Sequence, residues 1–267
     1  MKVISVFNKK GGVAKTISSI NIGAVLQEKG YRVLIVDIDP QGNSSVQLNN
    51  REVRKFGVPI ECYDCYSTEY DTVKDIFLKT QDITEVIKKT AYPGMDIITA
   101  NNDLELIDRE LLLDQRNDQI HILKSALDKV KSEYDYCIID CPPNLNLITI
   151  NGLMASDELL VPLKIDQMSV DGISSLLNRI DELKSELGAK LLVKGCFITM
   201  DKPNASVNKA IKEMLGEMLG EKLINTTIRD DVKVVESTYR QKPVVFYKKK
   251  CNASKDYRDL VEELYEI

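Results

Sequence analysis

A short segment near the N-terminus constrains this chain more than any other part of it. Residues 3–7 are a short apolar run that predicts a buried strand, and residues 17–29 carry a helical pattern that Gly30 ends. Between them the sequence reads Asn-Lys-Lys-Gly-Gly-Val-Ala-Lys-Thr. A strand, a glycine-bearing loop, a lysine, a hydroxyl and a helix in this order form a phosphate cradle, because backbone N–H groups and the helix N-terminus converge on one anion. The segment therefore predicts a site for a nucleoside triphosphate.

The loop departs from the general phosphate-loop pattern. G-x-x-x-x-G-K-[ST] ending at Thr16 requires glycine at positions 9 and 14, where this chain has Lys9 and Ala14. The chain has instead Lys-Gly-Gly-x-x-Lys-Thr, with a second lysine, Lys10, at the start. A purely structural alternative is a tight strand-to-helix turn that uses Gly11 and Gly12 for positive φ.

Composition limits the class of protein. The chain has 267 residues, 43% hydrophobic and 29% charged, which predicts one soluble globular domain over residues 1–267. The expectation is a cytoplasmic protein, because no signal peptide or apolar run of membrane-spanning length is apparent and only six cysteines occur. The net charge of −5 argues against a globally basic nucleic-acid binder, so DNA contacts would need a local patch. His121 is the only histidine, which makes a histidine-based active site unexpected.

Short apolar runs alternate with longer helical patterns along the chain. Strands are predicted at 33–37, 95–99, 136–140, 158–162 and 191–199, and helices at 103–113, 116–132, 168–187, 205–219 and 254–266. Apolar runs without alternation are typical of strands covered on both faces. The pattern predicts an α/β fold with a doubly wound, mostly parallel sheet, helices on both faces and ligands at the carboxyl ends of the strands. Residues 50–71 break the rhythm and predict an irregular surface loop.

Three aspartates mark predicted strand ends. Asp37 closes one strand, Asp39 follows two residues later, and Asp140 closes another. A carboxylate that follows an apolar strand beside a phosphate loop suits Mg²⁺ coordination through water, and Asp140 is the candidate. Asp39 could position the attacking water. Taken singly, each aspartate could also end a strand for solubility alone.

These residues carry a family resemblance. The chain resembles the ParA-type ATPases of the deviant Walker A class, which segregate plasmids and chromosomes. The resemblance rests on Lys-Gly-Gly-x-x-Lys-Thr at 10–16 and Asp-x-Asp-Pro-Gln-Gly-Asn at 37–43. It continues through 136–145, 161–172 and 228–264, and thus covers nearly the whole chain.

The resemblance implies a P-loop NTPase-like fold and a role for each residue that matches the motifs. Lys15 would hold the β- and γ-phosphates of ATP, Thr16 would ligate Mg²⁺, and Asp140 would match the Walker B aspartate. Lys10 would reach across a homodimer to the partner's nucleotide, where a cation stabilises the transferring phosphoryl group. Asp39 would act on the hydrolytic water. The remaining nucleotide contacts implied in the loop are Gly11, Gly12, Val13, Ala14 and Ile17.

The same resemblance implies a Mg-dependent ATPase, slow and stimulated by a ParB-like partner, that dimerises with ATP and separates after hydrolysis. Two departures from the family stand out. Ala14 replaces the usual glycine, and its Cβ could crowd the loop. Residues 228–232 read Ile-Arg-Asp-Asp-Val where the family usually has Ile-Pro-Arg-Asn-Val, so Arg229 and Asp231 stand where proline and asparagine flank the adenine.

Family members also bind nonspecific DNA as ATP-bound dimers, which would place the protein on the nucleoid. The matching region is basic, although the acids Asp230, Asp231 and Glu236 are interleaved, and a solvated face is the alternative. Its cations are Arg229, Lys233, Arg240, Lys242 and residues 248–250.

Three alternatives remain from the sequence. A MinD-like membrane-positioning ATPase would need a basic amphipathic C-terminal helix, whereas residues 260–267 are acidic, so no membrane binding is expected. An ATP-gated scaffold with little turnover is the second alternative, and it is motivated by Ala14 and the altered 228–232 segment.

The third alternative concerns a metal. Cys62-x-x-Cys65 could supply half of a four-thiolate metal site in a dimer, but a single motif favours a loop without metal. Cys137 and Cys141 are expected to pack beside the sheet.

Overall fold

The computed structural model describes residues 1–48, 71–113, 118–203 and 206–267, which form seven β-strands and twelve α-helices. The strands are β1 (Lys2–Val6), β2 (Val33–Asp37), β3 (Ile87–Lys89), β4 (Met95–Ile98), β5 (Tyr136–Asp140), β6 (Glu158–Lys164) and β7 (Leu192–Thr199). The first helices are α1 (Lys15–Glu28), α2 (Asn43–Leu48), α3 (Val73–Phe77), α4 (Ile83–Val86), α5 (Leu104–Leu113) and α6 (Ile122–Val130). The others are α7 (Leu147–Ala155), α8 (Gln167–Leu187), α9 (Ser206–Leu219), α10 (Val232–Tyr239), α11 (Val244–Tyr247) and α12 (Asn252–Tyr265).

The strands form one sheet in the order β3-β4-β2-β5-β1-β6-β7, parallel except for β3, which pairs antiparallel with β4. Because β5 lies between β1 and β2, three strand ends meet at one edge. Val6 of β1 and Asp37 of β2 are both register partners of Asp140 on β5. The phosphate loop therefore leaves β1 directly beside the two aspartates.

Helices cover both faces of the sheet, as the apolar strands predict. Alternate residues of β5 belong to different cores: Cys137 and Ile139 pack in one, and Ile138 packs in the other. The first core takes apolar residues from α3 and from α5 to α9, and the second from α1, α11 and α12. The predicted doubly wound α/β class is thus confirmed. Cys137 and Cys141 are fully buried, as expected.

The C-terminal helix α12 belongs to the second core. Its residues Tyr257, Leu260, Val261 and Leu264 are buried, and α12 contacts α1. The hydroxyl groups of Tyr257 and Ser18 lie 3.2 Å apart inside this contact. The apolar face of α12 is therefore used for packing within the chain. Among the described residues, no helix combines the length and apolar character needed to cross a bilayer.

Of the described elements, the sequence prediction omits strand β3 and six helices, α2, α3, α4, α7, α10 and α11. The helix predicted at 116–132 begins only at Ile122, since residues 118–121 are not helical and 114–117 lie outside the described residues. Strand β3 was not predicted, because it has three residues and two of them are lysines. Helix α7 was also missed; it begins where Asn146 accepts a hydrogen bond from the backbone of Thr149 at 3.1 Å. Most of the predicted loop at 50–71 lies outside the described residues, as do Cys62 and Cys65.

Close packing between α7 and the sheet gives a test of the fold. A Cβ added at Gly152 would lie 2.8 Å from Cδ1 of the buried Ile38 and 3.4 Å from Cγ2 of Ile139. We expect Gly152→Ala to lower the free energy of unfolding, measured in urea, by about 1–3 kcal/mol because the core must shift. Gly216 in α9 is the matched control, since a Cβ there meets no atom within 4 Å. Gly216→Ala should raise stability by about 0.5–1 kcal/mol through helix propensity. Equal effects of the two changes would contradict this packing.

Candidate nucleotide-binding site

The loop between β1 and α1 has a strained backbone at its end. Gly12 has φ of 70° and Ala14 has φ of 61°, both in the left-handed region. Of the two glycines expected to supply positive φ, only Gly12 does so. Ala14 adopts the conformation that glycine would adopt without penalty, at a cost of roughly 1–2 kcal/mol for a residue with a Cβ. The expected crowding at Ala14 thus takes the form of backbone strain.

The N-terminus of α1 presents unpaired donors. The first backbone hydrogen bond of the helix joins the N–H of Ser18 to the oxygen of Ala14 at 2.9 Å, which leaves Lys15, Thr16 and Ile17 without an intrahelical acceptor. No side chain caps the helix, and its first turn has no acidic residue. Gly11 and Gly12 are exposed beside these donors. An anion is the natural partner for such a helix start.

The two lysines of the motif have different surroundings. Lys15 is only 7% exposed, and its Nζ donates to the backbone oxygen of Lys10 at 2.9 Å. Burial lowers the pKa of Lys15, and the carboxylates of Asp140 and Asp39 partly offset that effect. The ammonium group of Lys10 forms an ion pair with the carboxylate of Asp166, which follows β6. The loop thus carries one enclosed cation and one at its rim.

Asp140 is an enclosed acid of the site. It is fully buried, and it accepts hydrogen bonds from the hydroxyls of Ser44 at 2.7 Å and Ser19 at 3.1 Å. Burial raises the pKa of Asp140 to about 6, although the nearby hydroxyl groups of Ser44, Thr16 and Ser19 lower it. The expected hydroxyl of Thr16 therefore lies near this carboxylate.

Asp37 and Asp39 follow on the neighbouring strand. Asp37 is fully buried and accepts from the backbone N–H and the hydroxyl of Ser45, at 2.8 and 2.7 Å. Burial, followed by the nearby charge of Asp140, raises the pKa of Asp37 to about 8. Asp39 is 8% exposed; its N–H donates to Asp37, and its carboxylate accepts from the N–H of Gln41 at 2.9 Å. The carboxylate of Asp39 is therefore fixed by its own turn.

The donor atoms in this site fit magnesium held together with a phosphate. The hydroxyl of Thr16 and the carboxylate of Asp140 are hard oxygen ligands, which Mg²⁺ prefers. Within the described residues no group of three His, Cys, Asp or Glu side chains could hold a metal alone. An ion here would complete its shell with water and phosphate oxygens, as Mg²⁺ does in nucleotide sites.

The segment at 228–232 reaches the same edge of the sheet, but its side chains are engaged elsewhere. The N–H of Ile228 donates to the oxygen of Ile198 on β7 at 2.7 Å. The guanidinium group of Arg229 forms an ion pair with Asp256 of α12, with Nε and Oδ2 2.9 Å apart. Asp231 caps α10 by accepting from the N–H of Lys233 at 2.9 Å. The N–H groups of Ile228, Arg229 and Asp230 are thus all hydrogen-bonded within the chain, and the side chains of Arg229 and Asp231 stabilise helices.

Sequence reasoning missed several residues that hold the loop. Asn8 links the loop to β6: its Nδ2 donates to the oxygen of Pro162 at 2.8 Å, and its Oδ1 accepts from the N–H of Lys10 at 3.0 Å. Thr199, at the end of β7, has its hydroxyl 3.2 Å from the oxygen of Val13. Asn8 could have been noticed as a polar residue directly after an apolar strand. Nothing in the sequence pairs Thr199 with the loop, because they are far apart in the chain.

Comparison with known proteins decides the family. The model of a family described as AAA domain matches residues 1–193. The chain is 35% identical over 263 residues to the sporulation initiation inhibitor protein Soj of Bacillus subtilis strain 168, covering 98% of each chain. It is 32% identical over 267 residues to the chromosome partitioning protein ParA of Caulobacter vibrioides, covering 99% of this chain and 94% of the relative.

The chain belongs to the ParA/Soj family.

Solved structures agree with this ParA/Soj membership. Cobyrinic acid a,c-diamide synthase from Mycobacterium smegmatis, solved with an ATP analogue and magnesium, superposes with a TM-score of 0.79 at 27% identity, covering 98% and 93% of the two chains. The cell division ATPase MinD of Pyrococcus furiosus superposes with a TM-score of 0.76 at 20% identity, covering 99% and 98%. At that identity the likeness to MinD shows the fold alone.

Among the seven cations at the C-terminal end of this ParA/Soj chain, at least two pair with acids of the described residues. Arg229 pairs with Asp256, and Lys233 pairs with Glu236 at 2.7 Å. The others, exposed to solvent, are Arg240, Lys242 and residues 248–250. A basic patch survives, but it is smaller than the sequence predicts.

The buried aspartates predict a pH dependence in the absence of nucleotide and metal. A carboxyl group whose pKa is raised on folding keeps its proton while the unfolded chain has lost it, so stability falls as pH rises from about 4 to about 8. We expect the free energy of unfolding to be higher at pH 6 than at pH 8, by roughly 1 kcal/mol per pH unit. The measurement is made in His121→Gln, which removes the only histidine of the chain. A flat or opposite profile in that variant would contradict the assignment.

Proposed function

We propose that this chain is a magnesium-dependent ATPase that partitions DNA in the cytoplasm. In the proposal ATP joins two copies, the dimer binds DNA without sequence preference on the nucleoid, and hydrolysis separates the copies. Turnover is slow and is stimulated by a ParB-like partner. One observation carries the proposal: Lys15, the Thr16 hydroxyl and Asp140 converge beneath a loop with unpaired N–H donors, in a chain related over its full length to partition proteins.

The loop would bind the phosphate groups. The unpaired N–H groups of Lys15, Thr16 and Ile17 supply donors at the positive end of α1. The Nζ of Lys15 now donates to a neutral carbonyl oxygen, and an anionic phosphate oxygen is the stronger acceptor. Nucleotide binding would therefore draw Lys15 from the backbone of Lys10 onto the outer phosphates.

Thr16 and Asp140 would hold the magnesium ion, Thr16 directly and Asp140 through water. When bound, Mg²⁺ supplies charge neutralisation at the outer phosphates. The buried carboxylate of Asp140 has raised pKa in its absence, and a nearby cation favours the ionised form. Ser19 and Ser44 orient that carboxylate through their hydrogen bonds.

Asp39 would orient the attacking water. Its turn is fixed by two backbone hydrogen bonds, one to Asp37 and one from Gln41, so the carboxylate has little freedom. The residue is nearly enclosed, and its charge is close enough to influence Lys15. A carboxylate in this place can accept the hydrogen bond of a water directed at the terminal phosphate.

Lys10 would couple nucleotide binding to assembly. Its ammonium group pairs with Asp166 of its own chain, and it would leave that carboxylate for the more highly charged triphosphate of a partner. A cation delivered in this way stabilises charge on the transferring phosphoryl group. Hydrolysis then removes the group that held the two copies together.

Recognition of adenine would fall to backbone carbonyl groups near 228–231, because the N–H groups of Ile228, Arg229 and Asp230 are already hydrogen-bonded. Arg229 and Asp231 remain candidate contacts, but their side chains already bind Asp256 and the N-terminus of α10. DNA binding would use the exposed cations near α11 and α12. A MinD-like membrane role is disfavoured, since the apolar face of α12 packs within the chain.

The switch is tested with Asp39→Ala by size-exclusion chromatography and by retention on DNA, in ATP and in ADP. Loss of the water-positioning carboxylate should block hydrolysis, so the ATP sample is expected to be dimeric and DNA-bound and the ADP sample monomeric and unbound. Lys15→Ala is the control and should lose nucleotide binding altogether. Identical monomeric profiles of Asp39→Ala in both nucleotides would exclude the switch. ATP-dependent dimers of the wild type without measurable phosphate release would favour a scaffold.

The DNA surface is tested by changing Lys248, Lys249 and Lys250 together to glutamine. We expect weaker DNA binding by the ATP-bound Asp39→Ala protein, and a shallower salt dependence by about 0.9 in log–log slope for each lost phosphate contact. A charge-matched control changes the exposed Lys124, Lys131 and Lys190, which lie outside the patch. Equal losses in both triple variants would contradict a local surface, because only net charge would then matter.

A further inference from the structure

The buried hydroxyl group of Thr199 connects the phosphate loop to β7, the strand at one edge of the sheet. Thr199 ends β7 and has no exposed surface. Its Oγ1 lies 3.2 Å from the backbone oxygen of Val13 and 3.2 Å from that of Leu163 on β6. The single hydroxyl proton can serve either carbonyl, so Thr199 joins the end of the loop to two strand ends.

The carbonyl of Val13 matters because of the atom on the other side of its peptide bond. A trans peptide is planar, so its C=O and the next N–H point in opposite directions. When Thr199 holds the oxygen of Val13 toward β7, the N–H of Ala14 must point away from β7. The hydroxyl therefore fixes the orientation of the donor that immediately precedes the N–H groups of Lys15 and Thr16.

The loop requires this hydrogen bond from Thr199 because the backbone of Ala14 is strained. Its φ of 61° is unfavourable for a residue with a Cβ, so rotation of the Val13–Ala14 peptide would relieve it. A strained peptide persists only when the surroundings fix it. The side chain of Val13 is fully buried, and Thr199 fixes the oxygen, so both parts of Val13 are held.

The start of the phosphate loop is also hydrogen-bonded to β6. Asn8 donates to the oxygen of Pro162, and Thr199 lies against the oxygen of the next residue, Leu163. The end of β6 thus supports the loop at its entry through Asn8 and at its exit through Thr199. Both side chains are at least nine-tenths buried, so neither hydrogen bond competes with bulk water.

We propose that Thr199 is a positioning residue for the nucleotide: its hydroxyl holds the strained Val13–Ala14 peptide in the orientation that binds phosphate. This inference rests on the proposed function, because it concerns the affinity of the same loop for ATP. Thr199 does not touch the ligand in this account. It acts through the backbone of Val13.

The test compares Thr199→Val, which keeps the shape and removes the hydroxyl, with Thr199→Ser, which keeps the hydroxyl. Thr90→Val is the matched control, since Thr90 is also buried and donates to a backbone oxygen, that of Met95 at 2.6 Å, in the turn that precedes β4. The measurements are the melting temperature without ligand and the dissociation constant for Mg-ATP by calorimetry.

Thr199→Val and Thr90→Val should both lower the melting temperature of the ligand-free protein, because each loses a buried hydrogen bond. Only Thr199→Val should bind Mg-ATP more weakly, by roughly five- to tenfold, the equivalent of one hydrogen bond. It should also show a smaller rise in melting temperature on adding Mg-ATP. Thr199→Ser should restore most of the affinity.

Two outcomes would overturn the inference. One is wild-type affinity in Thr199→Val, and the other is a loss in Thr199→Ser as large as that in Thr199→Val. A wild-type protein that binds no Mg-ATP would instead overturn the proposed function and the inference together. The wild-type titration therefore separates the two failures.

Discussion

The placement of two buried aspartates beside one strand end determines most of the site. Because β5 lies between β1 and β2, Asp140 is flanked by Asp37 on one side and by the start of the phosphate loop on the other. Ionising two neighbouring carboxylates inside an apolar sheet is energetically unfavourable, and the pKa values of both are raised. The arrangement is compensated by hydroxyl donors and by the enclosed cation of Lys15, and a bound divalent cation would compensate it further.

This constraint explains why the ligand-free loop is organised as it is. Burial of Lys15 destabilises its charged form, and the nearby carboxylates reduce this destabilisation. Lys10 is paired with Asp166, so neither lysine of the motif depends on nucleotide for a partner. A ligand must therefore provide stronger hydrogen-bond acceptors for the two lysines than these contacts do. A magnesium-bound triphosphate has several anionic oxygens and can provide them. A single carboxylate or a monophosphate has fewer anionic oxygens.

The sequence predicted the sheet strands well, because β1, β2 and β5 are mostly apolar runs, and β2 and β5 end in aspartate. It also brought Lys15, Thr16 and Asp140 to one place, since parallel strands share their carboxyl edge. It missed Asn8, Thr199 and Asp166, whose roles depend on contacts between residues more than 150 positions apart. Local patterns contain no information on such pairs. The helix at 116–132 was predicted too long for a different reason: polar residues there resemble a helix surface, whereas the helix begins only at the apolar Ile122.

The departures from the family pattern are connected to one another by the structure. Arg229 and Asp231 fasten the 228–231 segment to α12 and α10, and the backbone of this segment is hydrogen-bonded to the end of β7. Thr199, at that strand end, contacts the loop one residue before Ala14. A chain with alanine at position 14 carries strain in its loop, and a firmly held β7 end limits how far the loop can relax. Under the proposed function, Arg229 and Asp231 would therefore affect the nucleotide only through the backbone that they hold in place.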